Sequence, residues 1–258
     1  MERPRIVEIA EKKRETPLVT TLRFPDRTKA APGQYYMIWV PGVDEIPMSL
    51  CDIGDLKGIA VHAKGEATAA LVDLAPGERI GIRGPYGHGF EPRNGKALVV
   101  AGGTGISCLS PLIEVLARRD ARPAVIIGAR TASELLFVER NRKLADVTLT
   151  TDDGTEGRKG FATDAAYELL NTGKYRQVYA CGPELMMKKV VALAGCPAIP
   201  VQLSLERYMK CGIGICDSCS MGGFHICVEG PVVEGRTVMA FPEFGVFRRD
   251  ACGRKERL

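Results

Sequence analysis

The chain has 258 residues, of which 45% are hydrophobic and 26% are charged. This composition is typical of a globular protein with one or two domains, and it argues against extensive disorder and collagen-like repeats. A net charge of +4, from 35 basic and 31 acidic residues with no long basic run, does not indicate nucleic-acid binding. The N-terminus lacks the apolar stretch of a signal peptide, and no uninterrupted apolar run reaches about 18 residues, so we expect a cytoplasmic protein without a membrane span.

The first part of the chain reads as β structure. Short segments with alternating or β-branched residues, bounded by Pro and Gly, predict strands at 6–9, 18–24, 35–40, 58–63 and 79–83. One helical stretch, 67–74, interrupts them. Several short strands separated by turns predict a small antiparallel β-barrel over residues 1–94.

The pattern changes near residue 96, where strands begin to alternate with helices. Predicted strands lie at 97–101, 124–128, 147–150 and 177–181, and predicted helices at 111–117, 133–142, 163–170 and 184–194. Such alternation predicts an α/β domain with a parallel sheet over residues 95–204. Residues 205–258 are rich in Gly and Cys and offer little for a core of their own, which is typical of a module that folds around a metal.

Cysteine usage points to metal chemistry. The chain has nine cysteines, an odd and unevenly spread number that does not suggest the disulfide framework of a small secreted protein. Four of them lie close together: Cys211, Cys216, Cys219 and Cys227. The C-x4-C-x2-C start resembles the ligand spacing of plant-type ferredoxins, which hold a [2Fe–2S] cluster. The short return to the fourth cysteine differs from those ferredoxins, so a structural zinc site with four thiolates is the alternative.

Two glycines inside this cysteine loop suit the backbone that a cluster requires. A loop that wraps around a cluster needs backbone with positive φ, and its N–H groups must approach the sulfides closely. Gly212 and Gly214 meet both needs, so we expect positive φ at these positions.

A glycine-rich turn follows the first strand of the α/β domain. Gly102, Gly103, Thr104 and Gly105 stand between a predicted strand and a predicted helix, the usual context for a dinucleotide pyrophosphate at a helix N-terminus. The turn fits the G-x-G-x-x-G pattern only loosely, and an ordinary tight strand–helix turn is the alternative.

Two further strand ends carry candidate nucleotide-binding residues. Cys181, Gly182 and Pro183 follow a predicted parallel strand, where ligands of open α/β sheets bind, although Cys181 fits equally well as a small buried residue. Asp152 follows another strand and is a candidate ligand of a ribose hydroxyl; a simple turn explains it equally well.

Three predicted turns of the barrel carry Gly or hydroxyl-bearing residues. They contain Pro47, Met48 and Ser49; then Gly65, Glu66, Ala67 and Thr68; then Gly84, Tyr86 and Gly87. Thr68 opens a predicted helix, where backbone N–H groups can take a phosphate, and an ordinary N-cap is the alternative for this residue.

The order of barrel, nucleotide domain and cysteine segment resembles the ferredoxin–NADP reductase superfamily. Within it, the chain is similar to the electron-transfer subunits of NAD-dependent dihydroorotate dehydrogenases over essentially its whole length. The segments that carry this resemblance are Pro47–Ser49, Gly84–Phe90, Gly102–Gly105, Cys181–Pro183 and Leu205–Cys216.

The resemblance implies three cofactors and a partner. It places FAD in the barrel, with Ser49 and its neighbours at the flavin and Gly65–Thr68 at the FAD phosphates. It places NAD(H) on the α/β domain and a [2Fe–2S] cluster on the four clustered cysteines. The implied partner is a TIM-barrel subunit that holds FMN and oxidises dihydroorotate in pyrimidine biosynthesis, in a heterotetramer with two copies of each chain. Electrons would pass from FMN through the cluster and FAD to NAD+, and no catalytic acid or base is expected in this oxidoreductase subunit.

Two other functions remain open at this level. A flavin and iron–sulfur reductase subunit of a hydrogenase, sulfide dehydrogenase or transhydrogenase complex would have the same layout. A zinc-stabilised nucleotide-binding module without a redox role is the alternative from a different class.

Two positions bear on how the cofactors are bound. The family commonly has Arg before the Pro-x-Ser motif, where this chain has Ile46, so FAD is held more weakly or through Arg83 or His88. Arg130, after the second α/β strand, is placed to meet a 2′-phosphate, so the sequence leaves the choice between NAD and NADP open.

Overall fold

The computed structural model describes residues 3–119 and 122–258. The first layer is a seven-stranded antiparallel sheet with strand order β1-β7-β4-β5-β6-β3-β2. Its elements are β1 (Arg5–Glu8), β2 (Glu11–Arg14), β3 (Val19–Pro25), β4 (Tyr35–Val40), β5 (Asp44–Ile53), β6 (Leu56–His62), helix α1 (Glu66–Asp73) and β7 (Arg79–Tyr86).

This antiparallel sheet curls back on itself. Its two edge strands, β1 and β2, are consecutive in the chain and separated only by Ile9 and Ala10. The Ile9 N–H donates to the Glu78 carbonyl (2.8 Å) and the Ala10 N–H to the Arg23 carbonyl (2.7 Å), so the chain passes from one edge to the other without a gap. The inner face forms a core of fully buried aliphatic side chains, which include Leu22, Ile38, Leu50, Ile59 and Ile82.

A turn predicted in this layer is part of a strand. Residues 47–50, predicted as a turn, lie in the middle of β5. The strand pairs with β4 over its first half and with β6 over its second, and the register shifts between Leu50 and Asp52. Most of its residues are half-buried rather than alternating, and Pro47 argues against a strand, so the period-two signal is missing.

The second layer is a seven-stranded sheet of order β11-β10-β9-β8-β12-β13-β16, covered by helices. Its strands are β8 (Ala97–Gly102), β9 (Ala124–Ala129), β10 (Asp146–Thr151), β11 (Arg158–Lys159), β12 (Gln177–Cys181) and β13 (Val201–Ser204). Its helices are α2 (Ile106–Ala117), α3 (Val138–Arg142), α4 (Ala162–Asn171) and α5 (Glu184–Leu193). The predicted parallel α/β layer is confirmed, and β8, with β9 on one side and β12 on the other, is its topological switch point.

Helix boundaries in this layer differ from those predicted. Helix α2 begins at Ile106, five positions before Pro111, which sits inside the helix. The predicted helix over 133–142 is broken into a short 3₁₀ turn (Ala132–Glu134) and α3, because Phe137 takes a left-handed conformation with φ of 55°. No helix within residues 3–119 and 122–258 combines the length and apolar character that a membrane span requires.

The C-terminal segment builds onto the parallel sheet. It contains β14 (Ser220–Met221), β15 (Phe224–His225), β16 (Val232–Glu234), α6 (Gly235–Val238), β17 (Phe247–Arg249) and β18 (Lys255–Arg257). Strand β16 pairs antiparallel with β13 and so extends the sheet by one strand. Met221, Phe241 and Phe244 are buried in the same hydrophobic cluster as Val190 and Leu203 of the α/β layer, so this segment shares a core with it.

A buried ion pair ties the cysteine segment to helix α5. Arg207 donates from Nη1 to Glu184 Oε1, and the two side chains are only 4% and 9% exposed. The other carboxylate oxygen of Glu184 accepts the Gly245 N–H at 2.8 Å. Arg207 Nη2 is buried and has no hydrogen-bond partner among the described residues. Such a pair contributes little net stability, but breaking one side of it is costly.

We expect Arg207→Met to lower the midpoint of thermal unfolding of the cofactor-loaded protein by about 6 °C or more, because it leaves the Glu184 carboxylate buried without a countercharge. The double variant Arg207→Met/Glu184→Gln removes that charge and keeps an oxygen for Gly245, so it should recover most of the loss. Differential scanning calorimetry measures both. A loss below about 2 °C in the single variant would contradict this account of the pair.

Candidate cofactor sites

Two of the predicted nucleotide motifs meet at the switch point of the parallel sheet. Strands β8 and β12 are neighbours, and Ala101 lies opposite Cys181. A Cβ placed on Gly105 would lie 2.3 Å from the Cys181 carbonyl oxygen, and one on Gly182 would lie 2.9 Å from Gly102 Cα. No side chain fits in either place, so glycine lets the two loops touch.

The contact leaves an open face at the start of α2. Gly103 has a φ of 55°, and a Cβ there would meet no described atom within 4 Å. Thr104 is the next residue of the same 3₁₀ turn, which precedes the N-terminus of α2. Pro183, which follows the neighbouring strand β12, precedes helix α5. Unpaired N–H groups at the end of a helix attract an anion, so this crevice suits a dinucleotide pyrophosphate.

Asp152 lies at the same edge of the sheet but apart from the glycine turn. It follows β10, which is separated from β8 by β9. Its backbone N–H donates to the Ala129 carbonyl at 3.1 Å, which places it beside the end of β9. The structure therefore does not bring Asp152 into the glycine contact, and its ribose role stays a prediction.

Two of the predicted flavin segments lie on either side of one tyrosine. Ser49 of β5 and Tyr86 of β7 are both opposite Tyr35 of β4. The rings of Tyr35 and Tyr86 have centroids 6.1 Å apart. Pro47 and Met48 precede Ser49 on the same strand, so one patch of the sheet carries these candidates.

Glycines shape the end of β7 where this patch meets the rest of the chain. Gly84 has a φ of 119°, and a Cβ there would lie 2.8 Å from Tyr36 Cδ1. Gly87 has a φ of 73°, and a Cβ there would lie 2.4 Å from the Gly230 carbonyl oxygen. This turn therefore packs directly against the C-terminal segment.

The predicted phosphate turn lies at the N-terminus of α1, where Glu66 and Ala67 are the first two helical residues. Thr68 is the third, so it does not open the helix as predicted. Its hydroxyl accepts the N–H groups of Lys64 and Gly65 and donates to the Gly65 carbonyl, each at 2.9 Å. Because that hydroxyl is engaged locally, a phosphate at this turn would depend on backbone N–H groups.

The loop around the clustered cysteines has the predicted backbone. Gly212 and Gly214 have φ values of 70° and 77°, which confirms the expected positive φ. A Cβ on Gly212 would lie 2.9 Å from Met37 Cγ, and one on Gly214 would lie 2.9 Å from Val228 Cγ2. Both conformation and space therefore restrict these positions to glycine.

The four thiols are arranged as two pairs that differ in exposure. Cys211 and Cys216 interact with each other on the outer side, where Cys216 is exposed. Cys219 and Cys227 form a buried pair, and the Cys227 N–H donates to the Cys219 sulfur at 3.4 Å. Within residues 3–119 and 122–258, no three His, Cys, Asp or Glu side chains surround a single point.

Environment drives the thiol pKa values in opposite directions. Burial raises the pKa of Cys216, but hydrogen bonds with Ser218 and Cys211 outweigh it and lower the pKa to about 6. Burial, reinforced by the neighbouring Cys219, raises the pKa of Cys227 to about 12. The donor set consists of two thiol pairs, which fits a [2Fe–2S] cluster with two thiolates on each iron, and bound iron deprotonates its thiol ligands.

The barrel strand β4 contacts the cysteine loop directly. The Tyr35 hydroxyl donates to the Cys227 carbonyl at 2.9 Å, and both residues are buried. Met37, two residues along the same strand, lies against Gly212. The sequence analysis did not single out these two residues, because an apolar and aromatic strand indicates core packing and nothing more.

Arg83 contacts the cysteine loop. Its guanidinium donates to both Glu45 carboxylate oxygens (2.7 and 2.6 Å) and to the Cys211 carbonyl (3.1 Å), and the residue is buried. These bonds engage Nε and Nη2, so a flavin phosphate would have to compete with them, and a phosphate role for Arg83 stays a prediction. The His88 backbone N–H donates to the Gly230 carbonyl at 2.6 Å while its side chain is exposed, and a phosphate role for that side chain stays a prediction.

Comparisons with known proteins agree with this geometry. Residues 206–239 match the family model of the iron–sulfur cluster binding domain of dihydroorotate dehydrogenase B, and residues 99–192 match the oxidoreductase NAD-binding domain. The probable dihydroorotate dehydrogenase B (NAD(+)) electron transfer subunit of Methanocaldococcus jannaschii is 43% identical over 99% of both chains. Its counterpart in Thermoplasma volcanium is 43% identical over 98% of both.

A solved structure of an NADH-dependent reduced ferredoxin–NADP oxidoreductase superposes with a TM-score of 0.82 at 28% identity, over 92% of this chain and 90% of that one. Fold and site together thus define an oxidoreductase of the ferredoxin reductase class, with an iron–sulfur segment and sites for FAD and NAD(H). Within that class, the chain belongs to the family of dihydroorotate dehydrogenase B electron-transfer subunits.

We expect Gly212→Ala to lower the iron content of the purified protein more than Gly223→Ala. Both glycines have positive φ, 70° and 89°, so both variants strain the backbone. Only at residue 212 does the added methyl group also collide with Met37, since nothing lies within 4 Å of a Cβ on Gly223. Iron and acid-labile sulfide analysis measures the difference, and equal loss in both variants would contradict the role given to the β4 contact.

We expect Tyr35→Phe to accelerate loss of the cluster to an iron chelator, by about threefold or more, because the buried Cys227 carbonyl loses its donor. Tyr36→Phe is the matched control, since this neighbouring tyrosine is also buried but bonds Asp26 on the far side of the strand. Absorbance decay in the visible range follows both reactions. Equal rates in the two variants would mean that the hydroxyl does not stabilise the cysteine loop.

Proposed function

We propose that this chain is the electron-transfer subunit of an NAD-dependent dihydroorotate dehydrogenase. The observation that carries the proposal is that strands β4 and β5, which carry flavin candidates, lie between the cysteine loop and the nucleotide layer. Tyr35 and Met37 of β4 contact the cysteine loop, while Ser49 of β5 lies opposite Tyr35. Residues that would hold the flavin are therefore one strand away from residues that would hold the cluster.

Strand β5 of the barrel also contacts the nucleotide layer. Beyond Ser49, strand β5 packs against helix α2, which begins at the glycine turn. Arg140 of α3 donates to the Cys51 carbonyl at 2.9 Å and pairs with Asp52 at 2.8 Å, both in β5. One strand thus joins the flavin candidates to the nucleotide candidates, which supports a single path for electrons across the chain.

Each proposed cofactor has its own residues. Pro47–Ser49, Gly65–Thr68 and the turn of Gly84, Tyr86 and Gly87 would hold FAD, and Gly102–Gly105 with Cys181–Pro183 and Asp152 would hold NAD(H). Cys211, Cys216, Cys219 and Cys227 would hold the [2Fe–2S] cluster. When bound, a flavin exchanges electrons both singly and in pairs, which a cluster and a nicotinamide separately cannot do.

The residues of this chain would position the cofactors. The Tyr35 and Arg83 hydrogen bonds fix the carbonyls of Cys227 and Cys211, and the glycine contacts keep side chains out of the nucleotide crevice. Proton abstraction from dihydroorotate would belong to a catalytic partner, which we propose to be an FMN-containing TIM barrel that assembles with this chain as two copies of each. The domain limits 1–94, 95–204 and 205–258 and a cytoplasmic location belong to the same proposal.

A second candidate function is favoured by one observation. The 28% identical structure with a TM-score of 0.82 is an NADH-dependent reduced ferredoxin–NADP oxidoreductase, and the match covers 92% of this chain. A reductase subunit of another flavin and iron–sulfur complex would use the same three sites. The identity of the copurifying catalytic chain separates the two functions.

We expect anaerobically purified protein to show flavin absorption bands overlaid by cluster absorption, and both to bleach when NADH is added. The spectrum tests the three proposed cofactors together, because NADH can bleach the cluster only if electrons cross the flavin site. Flavin bands without cluster absorption would contradict the cysteine assignment. A colourless protein that contains zinc would overturn the redox function.

We expect an FMN-containing chain to copurify with this one, and the complex to reduce NAD+ when dihydroorotate is added. Copurification with a hydrogenase or ferredoxin-dependent chain, without dihydroorotate activity, would favour the second candidate.

A further inference from the structure

One arginine of the nucleotide layer contacts the barrel. Arg140, in the short helix α3, donates from Nη2 to the Cys51 carbonyl at 2.9 Å, and the same atom lies 2.8 Å from Asp52 Oδ1. It also lies 2.8 Å from Glu114 Oε1, which belongs to helix α2 of the nucleotide layer. The side chains of Arg140 and Asp52 are only 22% and 21% exposed, so salt screens this pair less than it screens a surface pair.

The barrel side of the contact is built around an irregularity in strand β5. The register against β6 shifts around Cys51, which is the extra residue of a bulge. A Cβ on Gly58 would lie 2.1 Å from Asp52 Oδ2, so this glycine makes room for the carboxylate. Arg23 Nε donates to the same Oδ2 at 2.9 Å and holds the carboxylate from the barrel side. The bulge thus presents a carbonyl and a fixed carboxylate to Arg140.

The nucleotide side of the contact is anchored on helix α2. Asn141, the neighbour of Arg140, is fully buried, and its Nδ2 donates to the Phe137 carbonyl at 2.9 Å and to Ser110 Oγ of α2 at 3.4 Å. Phe137 has a φ of 55°, and its ring centroid lies 5.3 Å from the guanidinium carbon of Arg140. A left-handed conformation is uncommon for a bulky residue, and such strain is concentrated at functional positions.

The contact lies between the proposed flavin and nucleotide sites. Cys51 is two residues beyond Ser49 on β5, the strand that carries flavin candidates. Helix α2, to which Asn141 anchors α3, begins directly after the glycine turn that ends at Gly105. Hydride transfer requires close alignment of the reacting atoms, and a shift of about 1 Å can slow a reaction about 100-fold. The relative position of these two layers therefore bears on the rate.

We infer that Arg140 is a positioning residue for hydride transfer, which holds the nucleotide layer against the flavin strand through Cys51 and Asp52. The inference deepens the proposed function and rests on it. In the step concerned, NADH gives one hydride to oxidised FAD, which leaves NAD+ and FADH−, and NAD+ reduction runs this step in reverse. Arg140 acts by fixing the two surfaces that carry the reactants, so its loss should slow the step without weakening nucleotide binding to its own layer.

The first test compares two arginines of α3 in the flavin- and cluster-loaded protein. Stopped-flow absorbance at saturating NADH gives the first-order rate constant of flavin reduction, which does not depend on how much protein is loaded. Arg140→Met keeps a side chain of similar length and should lower this constant by about tenfold or more. Arg142→Met is the matched control, because Arg142 is 48% exposed and pairs with Glu139 of the same helix at 2.5 Å. It should keep the native constant within about twofold.

Two further measurements on Arg140→Met separate positioning from a general loss of structure. The first is the dissociation constant of 5′-ADP by isothermal titration, which should stay within about twofold of the native value, because this fragment would occupy only the nucleotide layer. The second is the long-wavelength charge-transfer absorbance that appears when NAD+ stacks on reduced flavin. This absorbance should fall in Arg140→Met, since the two rings no longer align.

Variants of the two carboxylates that face Arg140 locate the effect. Asp52→Ala removes the acceptor on the barrel and should slow flavin reduction by a factor similar to that of Arg140→Met. Glu114→Gln changes only the acceptor within the nucleotide layer and should keep the rate constant within about twofold. Asp52→Ala also tests the inference from the barrel side if Arg140→Met does not fold.

The outcomes distinguish this inference from the proposed function. A native rate constant in Arg140→Met or Asp52→Ala, an equal loss in Arg142→Met or Glu114→Gln, or a parallel loss of 5′-ADP binding in Arg140→Met would each overturn the positioning role and leave the proposed function intact. If NADH does not reduce the flavin of the native protein, the proposed function fails together with this inference.

Discussion

The contact between strand β4 and the cysteine loop is the constraint on which the arrangement of sites depends. Tyr35 holds the Cys227 carbonyl, and Met37 fills the space that Gly212 leaves open. Both contacts are buried, so their geometry tolerates little change. Electron transfer needs the cofactors close together, and here the proposed flavin residues lie one strand away from the proposed cluster ligands.

The three parts of the chain also contact one another. Strand β5 presents the flavin candidates and also packs on helix α2, while β16 of the C-terminal segment completes the parallel sheet. Arg207 and Glu184 add a buried ion pair between the cysteine segment and helix α5. The three parts of the chain are therefore joined by packed and hydrogen-bonded contacts.

Much of this could be predicted from the sequence, and the failures have physical causes. A continuous apolar strand such as β8, or a positive-φ glycine such as Gly212, can be predicted from the local sequence alone, because neither depends on distant residues. Strand β5 was missed because its residues face two partners in turn and carry no simple period. The contacts of Tyr35 and the engagement of Arg83 by Glu45 join residues distant in sequence, and no local pattern encodes such pairings.

The pairing of β16 with β13 has a consequence for how the protein is made. The cysteine loop is the connection between these two strands, and their antiparallel pairing joins its ends. A chain leaving the ribosome therefore presents all four thiols before the strand that closes the loop has been synthesised. Until β16 has been made, the edge of β13 lacks the neighbour that covers it in the folded chain, so closure of the cysteine loop and completion of the sheet happen together.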